Sequence, residues 1–331
     1  MTGLVLGIDG GASKTVAIVA DLTGRVLGAG RAGNADIYQT PTAGAHVAAA
    51  IAQALTAAAA KADDVISLTL SLVGADWPED FAHWQAALAG LGIGASTRSV
   101  VVNDAVGALW AGAPTGPAVS VVIGTGCAVG ARGPDGRMWH SSFWQRTQGG
   151  GELATKALDA VYLAALGLGP ATTLTQAALL RFGARDVEDL LHGFTGRNPP
   201  PRAAVATFAP AVLDAAAAGD AVATALAVAQ GEAIAGYARV AAAKVGITAQ
   251  ARLVLAGGIC RHHARLMPDY VIAGLAKMVP DLQVVGNAPE PVAGAVLMAL
   301  SKVGMPIGDD VRARLQASLP VDAFFKTTAE D

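Results

Sequence analysis

Apolar and polar positions alternate with a period of two in LVLGIDG (4–10) and TVAIVAD (15–21), which predicts two strands. Only GASK separates them, and after LTGR the extended pattern resumes in VLGAG. The stretch therefore predicts a meander of strand, glycine turn, strand, turn and strand. Residues 118–132, AVSVVIGTGCAVGAR, repeat it: an apolar strand, Gly124-Thr125-Gly126, a second strand, and then the turn GPDGR. A further strand, RLVLAGGI (252–259), ends on Gly257-Gly258, and a helical pattern follows through CRHHARLMPDYVIAGLAKM. STRSVVVND predicts a strand and AVGALWAG the start of a helix. Helices are also predicted for the alanine-rich stretches 43–60 and 203–218 and for PEPVAGAVLMAL from Pro289.

The first glycine turn has the material of a phosphate cradle. It is not a P-loop: counted from Gly7, Ala12 stands where the last glycine is needed, Ser13 precedes Lys14, and a strand follows instead of a helix. No GxGxxG opens a helix, which excludes the dinucleotide fingerprint. A tight glycine turn between two strands still binds anions, because successive N–H groups converge and glycine lets the backbone come close. The recurrence of the motif at 118–132 predicts two similar halves facing one another. The strand ending in Gly257-Gly258 is suited to lie under an adenosine.

Composition narrows the partners. The 331 residues are 53% apolar and 15% charged, enough for a substantial folded core. The net charge of -3 comes with no basic stripe, which argues against nucleic acid and anionic membranes. Polar residues interrupt both alanine-rich stretches, which read as helices of a soluble protein. The opening residues lack a basic region before the apolar run, so no signal peptide is expected. Cys127 and Cys260 lie far apart, and a cytoplasmic protein with free thiols is the expectation.

Taken in order, IDGGASKT, AGNADIYQ, LSLVGADWPEDF, VVNDAVGALWAG, VVIGTG, LVLAGG and PEPVAGAVLMAL resemble the motifs of the BadF/BadG/BcrA/BcrD ATPase family. That family includes N-acetylglucosamine kinase and glucosamine kinase, and it shares the actin-like ATPase fold. The resemblance runs from residue 5 to about 300. It implies an α/β protein of two ribonuclease-H-like domains, each with a mixed five-stranded sheet, and a nucleotide cleft between them. One domain would span 1–115, completed by a C-terminal helix over about 289–312, and the other 116–288. ATP and Mg²⁺ are the implied cofactors, a sugar the acceptor, and a homodimer the expected assembly.

The resemblance also assigns roles. Asp9 would hold Mg²⁺ through water, since that ion takes few protein oxygens. Gly10, Gly11, Ser13, Lys14 and Thr15 would face the phosphates from one side and Gly124, Thr125 and Gly126 from the other, with Gly257 and Gly258 at the adenosine. Asp104, at the carboxyl end of a strand, would be the base that takes the proton of the attacking hydroxyl; an N-cap role for it is the structural alternative. Asn34, Asp36, Gly74, Asp76, Asn103 and Gln148 would line the sugar cleft, though all are also ordinary loop residues. Trp77 would stack on a sugar or anchor its loop.

One segment departs from the pattern. Where amino-sugar kinases carry Gly-Asp-Glu-Gly-Ser before a helix, this chain reads QGGGE, with Gly149 in place of the sugar-binding aspartate and Gly150 in place of the glutamate. Trp139, Trp144, Arg146 and Gln148 offer a different surface there. Two other classes stay open: an ATPase activator of a dehydratase or reductase, and a non-catalytic sugar sensor. Arg261-His262-His263 lacks the spaced partners of a zinc site and reads as a solvated helix start.

Overall fold

The computed structural model describes residues 3–91, 98–147, 149–199, 202–286 and 288–326. Two five-stranded mixed sheets share one topology. The first comprises β1 (Leu4–Gly10), β2 (Thr15–Asp21), β3 (Val26–Ala32), β4 (Val65–Leu72) and β5 (Arg98–Asn103), in the order β3-β2-β1-β4-β5. The second comprises β6 (Ala118–Ile123), β7 (Cys127–Arg132), β8 (Met138–His140), β9 (Gln250–Ala256) and β10 (Asp281–Val285), in the order β10-β9-β6-β7-β8. In each, the first three strands form an antiparallel meander and the last two add in parallel beside the first strand. The two glycine turns are the first hairpin of each meander.

Among the described residues, twelve helices cover the sheets: α1 (Ala43–Ala57), α2 (Pro78–Ala89), α3 (Asp104–Gly112), α4 (Gly150–Ala165), α5 (Leu174–Phe182), α6 (Val187–Thr195), α7 (Arg202–Ala206), α8 (Ala209–Ala217), α9 (Ala221–Lys244), α10 (Leu266–Ala276), α11 (Pro291–Lys302) and α12 (Asp309–Ser318). The period-2 pattern sorts side chains between them. Leu6, Ile8, Ala17 and Val19 pack against α1 residues such as Val47 and Ile51, while Val5, Val16 and Ile18 pack against Val292, Val296 and Leu300 of α11. The second sheet is buried by α4, α8, α9 and α10 in the largest core of the molecule. No single helix among the described residues is long and apolar enough to cross a membrane.

The chain passes from the first sheet to the second through α3 and returns through α11, and these two helices cross at backbone contact. A Cβ on Gly294 would stand 1.9 Å from the Gly107 carbonyl oxygen. Ser120 of β6 donates its hydroxyl to the Ala105 carbonyl at 2.7 Å, tying α3 to the second sheet. Two boundaries differ from the sequence reading. The C-terminal helix over about 289–312 is two helices, α11 and α12, because Gly304 (φ +80°) ends the first and Pro306 follows. After Gly257-Gly258 the chain runs through turns and bends and becomes helical only at Leu266.

Candidate active site

The two glycine turns point at each other. Ser13 Oγ of the first lies 3.5 Å from Thr125 Oγ1 of the second. In the first turn, the Gly11 amide donates to the Lys14 carbonyl at 2.8 Å, while the amides of Ala12 and Ser13 donate to no acceptor among the described residues. In the second, Gly124 donates to the Gly126 carbonyl at 2.9 Å, and the amides of Thr125 and Gly126 are likewise without acceptors. A Cβ added to Gly124 or Gly258 would meet nothing within 4 Å, so open space adjoins the second turn and the end of β9. Free amides beside open space fit an anionic ligand such as a nucleotide's phosphates.

Not every predicted phosphate residue points there. The Thr15 hydroxyl donates to the Gly33 carbonyl at 2.7 Å, fixing the loop after β3. Gly10 is a glycine because a Cβ would strike Leu72 and Ala35. The Lys14 ammonium donates to the Phe325 carbonyl, and burial lowers its pKa against the pull of Glu290 and Asp9. Gly257 adopts φ +92°, and a Cβ there would stand 2.4 Å from the Ile123 carbonyl oxygen. Beyond the turns, Arg261 pairs with Glu290 at 3.0 Å, bridging the loop after β9 to the residue before α11.

Asp9 and Asp104 form an acidic centre between the halves. The N-cap of α3 is Asn103, whose Oδ1 accepts the Ala105 amide at 3.0 Å; Asp104 is the first helical residue. Its carboxyl is pushed up to about 7 by burial and by the charges of Asp76 and Asp36. The Asp9 carboxyl is also pushed up to about 7, by burial and by Asp104 and Glu290, against the opposing pull of Lys14. Under-compensated carboxylates of this kind suit a hard cation with oxygen ligands.

On the other side of Asp104, the predicted acceptor residues are hydrogen-bonded to one another or to their own loops. Asn34 Oδ1 accepts the Asp36 amide at 2.6 Å; Asp36, itself buried, accepts from the Tyr38 amide and Gln39 Nε2. Gly74 adopts φ +69°, with its Cβ direction blocked by Asp36 and Tyr38 at 3.1 Å. Asp76 Oδ1 accepts from Asn103 Nδ2 at 2.7 Å and from the Ser142 hydroxyl at 2.5 Å. Asp80, buried in the first turn of α2, accepts the Asp76 and Trp77 amides and the Tyr38 hydroxyl. Trp77 is partly exposed and lies parallel to Phe143 at 6.2 Å, and Tyr38 meets the same ring edge-on at 5.1 Å. A cavity of about 190 Å³ opens beside Asp76, walled by Trp77, Trp139, His140, Ser142 and Trp144. Gln148 lies outside the described residues. The sequence reading missed Tyr38, Asp80, His140, Ser142, Phe143 and Glu290. Their importance comes from contacts between distant segments; the only local signal was HSSFW following the second meander.

The profile of the BadF/BadG/BcrA/BcrD ATPase family matches residues 6–299. The chain belongs to this family. A search of the curated proteins finds no match. Among solved structures, a protein described as an N-acetylglucosamine kinase from Chromobacterium violaceum is 22% identical with a TM-score of 0.68, and covers 90% of this chain and 99% of its own. A second so described, from Porphyromonas gingivalis, is 15% identical at 0.66 with the same coverage. A ROK family glucokinase from Streptomyces griseus, solved with glucose and AMPPNP, is 17% identical at 0.55, covering 90% and 98%. At these identities the likeness establishes the actin-like ATPase fold.

Within this BadF/BadG/BcrA/BcrD ATPase, the glycines at 149–151 have a physical reason. A Cβ on Gly149 would lie 2.0 Å from the Gly126 carbonyl oxygen and 2.5 Å from that of Gly124. The Gly150 and Gly151 amides donate to the Gly124 and Thr125 carbonyls at 2.7 and 2.9 Å. The start of α4 therefore holds the carbonyls of the second turn and leaves its amides outward. An aspartate does not fit at 149. Burial pushes both thiols, Cys127 and Cys260, up to about 12, so both are protonated in the free protein. His262 and His263 lie in the loop before α10, not at a helix start, and both face Asp214 of α8 at 3.4 and 3.3 Å. Because His262 Nδ1 accepts the Ala264 amide, its neutral ring carries the proton on Nε2, which lies 3.4 Å from Asp214 Oδ1. Asp214, His262 and His263 thus bring three possible ligand atoms within 4.8 Å of one another.

Proposed function

We propose that the chain is an ATP- and Mg²⁺-dependent kinase that phosphorylates a hydroxyl of a sugar or amino sugar. The observation that carries this reading is the meeting of the two turns at Ser13 and Thr125, with unpaired amides on both sides and Asp9 and Asp104 beside them. Residues 1–115 with the returning helix, and residues 116–288, are proposed as the two lobes that close on the substrates.

The amides of Ala12, Ser13, Thr125 and Gly126 bind phosphate oxygens and hold the triphosphate in one line between the lobes. Asp9 would hold Mg²⁺, and the ion would supply positive charge to offset the negative charge of the phosphates. Asp104 accepts the proton from the sugar hydroxyl as its oxygen attacks the terminal phosphorus, and the bond to the leaving diphosphate breaks. Asn103 caps α3 and so aims Asp104, while its amide nitrogen fixes Asp76 in the acceptor wall. Positioning and charge do most of the work in phosphoryl transfer; the base adds roughly 10²–10⁴ in rate.

A screen for ADP release across hexoses, amino sugars, N-acetylated sugars and muramic derivatives tests the activity. With the best acceptor, Asp104→Asn is expected to lower kcat by about 10²–10⁴ with the fold intact by circular dichroism. An unchanged kcat removes Asp104 from the mechanism, and no turnover with any sugar removes the kinase reading.

A further inference from the structure

Two histidines that phosphoryl transfer leaves unused stand beside a carboxylate from another element. His262 and His263 lie in the loop between β9 and α10, and Asp214 lies on α8. Both Nε2 atoms face the same oxygen, Asp214 Oδ1, at 3.4 and 3.3 Å. An N–H···O bond spans only about 2.7–3.2 Å, so these separations are long for hydrogen bonds. They match instead the edge of a tetrahedron of nitrogen and oxygen ligands about 2.0–2.1 Å from a central Zn²⁺, an edge of roughly 3.3–3.4 Å. One ligand atom from each of the three residues lies within 4.8 Å of the others. The two imidazole rings lie side by side, 4.4 Å between centroids and tilted by 31°. The flanking cations are engaged elsewhere, Arg261 with Glu290 at 3.0 Å and Arg265 with Asp269 at 3.3 Å.

We propose that Asp214, His262 and His263 form a binding site for Zn²⁺. Two imidazoles and one carboxylate suit that ion, which accepts three protein ligands and a water at the fourth corner. Mg²⁺ prefers an all-oxygen shell and is disfavoured by the nitrogen pair. The side chains of His263 and Asp214 are 75% and 55% exposed, which leaves the ion an open path in, while that of His262, at 14%, forms the inner wall. Coordination at Nε2 moves the His262 ring proton to Nδ1, and the Ala264 amide, bonded there at 3.2 Å, passes to water. The bound ion fastens α8 to the loop that leaves β9 at Gly257-Gly258. Spacing along the chain hides this site, because an adjacent His-His pair gains its third ligand only when α8 folds against it.

The test is Zn²⁺ binding by the full chain, stripped with a chelator, free of any affinity tag and kept in excess Mg²⁺ to fill sites built from oxygen alone. Competition against a chromophoric chelator is expected to show one Zn²⁺ per chain. His263→Ala removes an exposed side chain and leaves the fold intact. It should weaken that binding by at least about tenfold, since even groups that only orient a metal ligand are worth about 10–100-fold in affinity. Asp214→Asn should act in the same direction. Saturating Zn²⁺ should also raise the Tm of the wild-type chain and leave that of His263→Ala unchanged, because an ion that binds the folded state stabilises it. Failure of the wild-type chain to take up Zn²⁺ overturns the site. Equal affinity in the wild type and His263→Ala overturns it as well, by placing the ion elsewhere on the chain. Neither readout uses phosphoryl transfer, so the result stands apart from the kinase reading.

Discussion

Asp104 owes its raised pKa to burial and to the charges of Asp76 and Asp36, and Asp9 owes its own to burial and the charges of Asp104 and Glu290, in a cleft where Lys14 is turned to the Phe325 carbonyl. The consequence for stability has a definite sign. A carboxyl whose folded pKa lies above its unfolded value prefers to be neutral in the fold, so its penalty is absent at low pH. The penalty grows as pH rises above the unfolded value near 3.8 and is complete above about 7. Asp104→Asn is therefore expected to stabilise the free protein by about 1–3 kcal/mol at pH 8 and by almost nothing at pH 4, measured by thermal unfolding without nucleotide. Activity carries the opposite sign. A base must be ionised, so kcat/KM for the acceptor is expected to fall as pH drops below about 7. A flat profile from pH 5 to 8 would contradict that role. Stability gained with activity lost on one substitution marks a group held in an unfavourable state for its chemistry.

Among the elements, α4 and the α3–α11 crossing bring backbones together so closely that glycine is the only residue that fits. Adding a methyl group at Gly149 pushes α4 off the second turn, because the obstacles are the carbonyls of Gly124 and Gly126. Gly149→Ala is expected to destabilise by about 1–3 kcal/mol and to raise KM for ATP more than KM for the acceptor, since the turn amides lose their alignment. Gly294→Ala places its Cβ against the Gly107 carbonyl and should destabilise by a similar amount, about 1–3 kcal/mol, read by denaturant unfolding. These elements also mark what could be read in advance. Both meanders were visible because alternation and glycine turns are local, and the strand end that carries Asp104 was visible because VVND precedes a helical pattern. The GGG run was visible as a departure from the family but not explicable, since its reason lies in a carbonyl some twenty residues upstream in the folded hairpin. His140, Ser142 and Phe143 were missed for the same cause: their partners Asp76, Tyr38 and Trp77 sit on the other sheet's loops.

For the molecule as a whole, the two halves are held to one another across the cleft by contacts between loops. The contacts across the cleft are few in kind: Ser13 with Thr125, Arg261 with Glu290, Ser142 with Asp76, and Phe143 between Tyr38 and Trp77. The ion pair is half-exposed on its arginine side and contributes about 1 kcal/mol at most. The aromatic pairs contribute about 0.5–1.5 kcal/mol each. Asp9, Asp104 and Asp76 all stand on the first half, where burial and neighbouring charge already weigh against the ionised forms of Asp9 and Asp104. The contacts across the cleft are thus weak one by one, and a ligand that touches both halves would add to them. Phe143 stands on the acceptor side of the gap, remote in sequence from both glycine turns. Phe143→Ala should raise KM for the acceptor by about 3–10-fold, the equivalent of one aromatic contact, while KM for ATP stays within about twofold. Equal rises in both constants would mean that the ring braces the whole cleft. A rise in neither would mean that the lobes close without it.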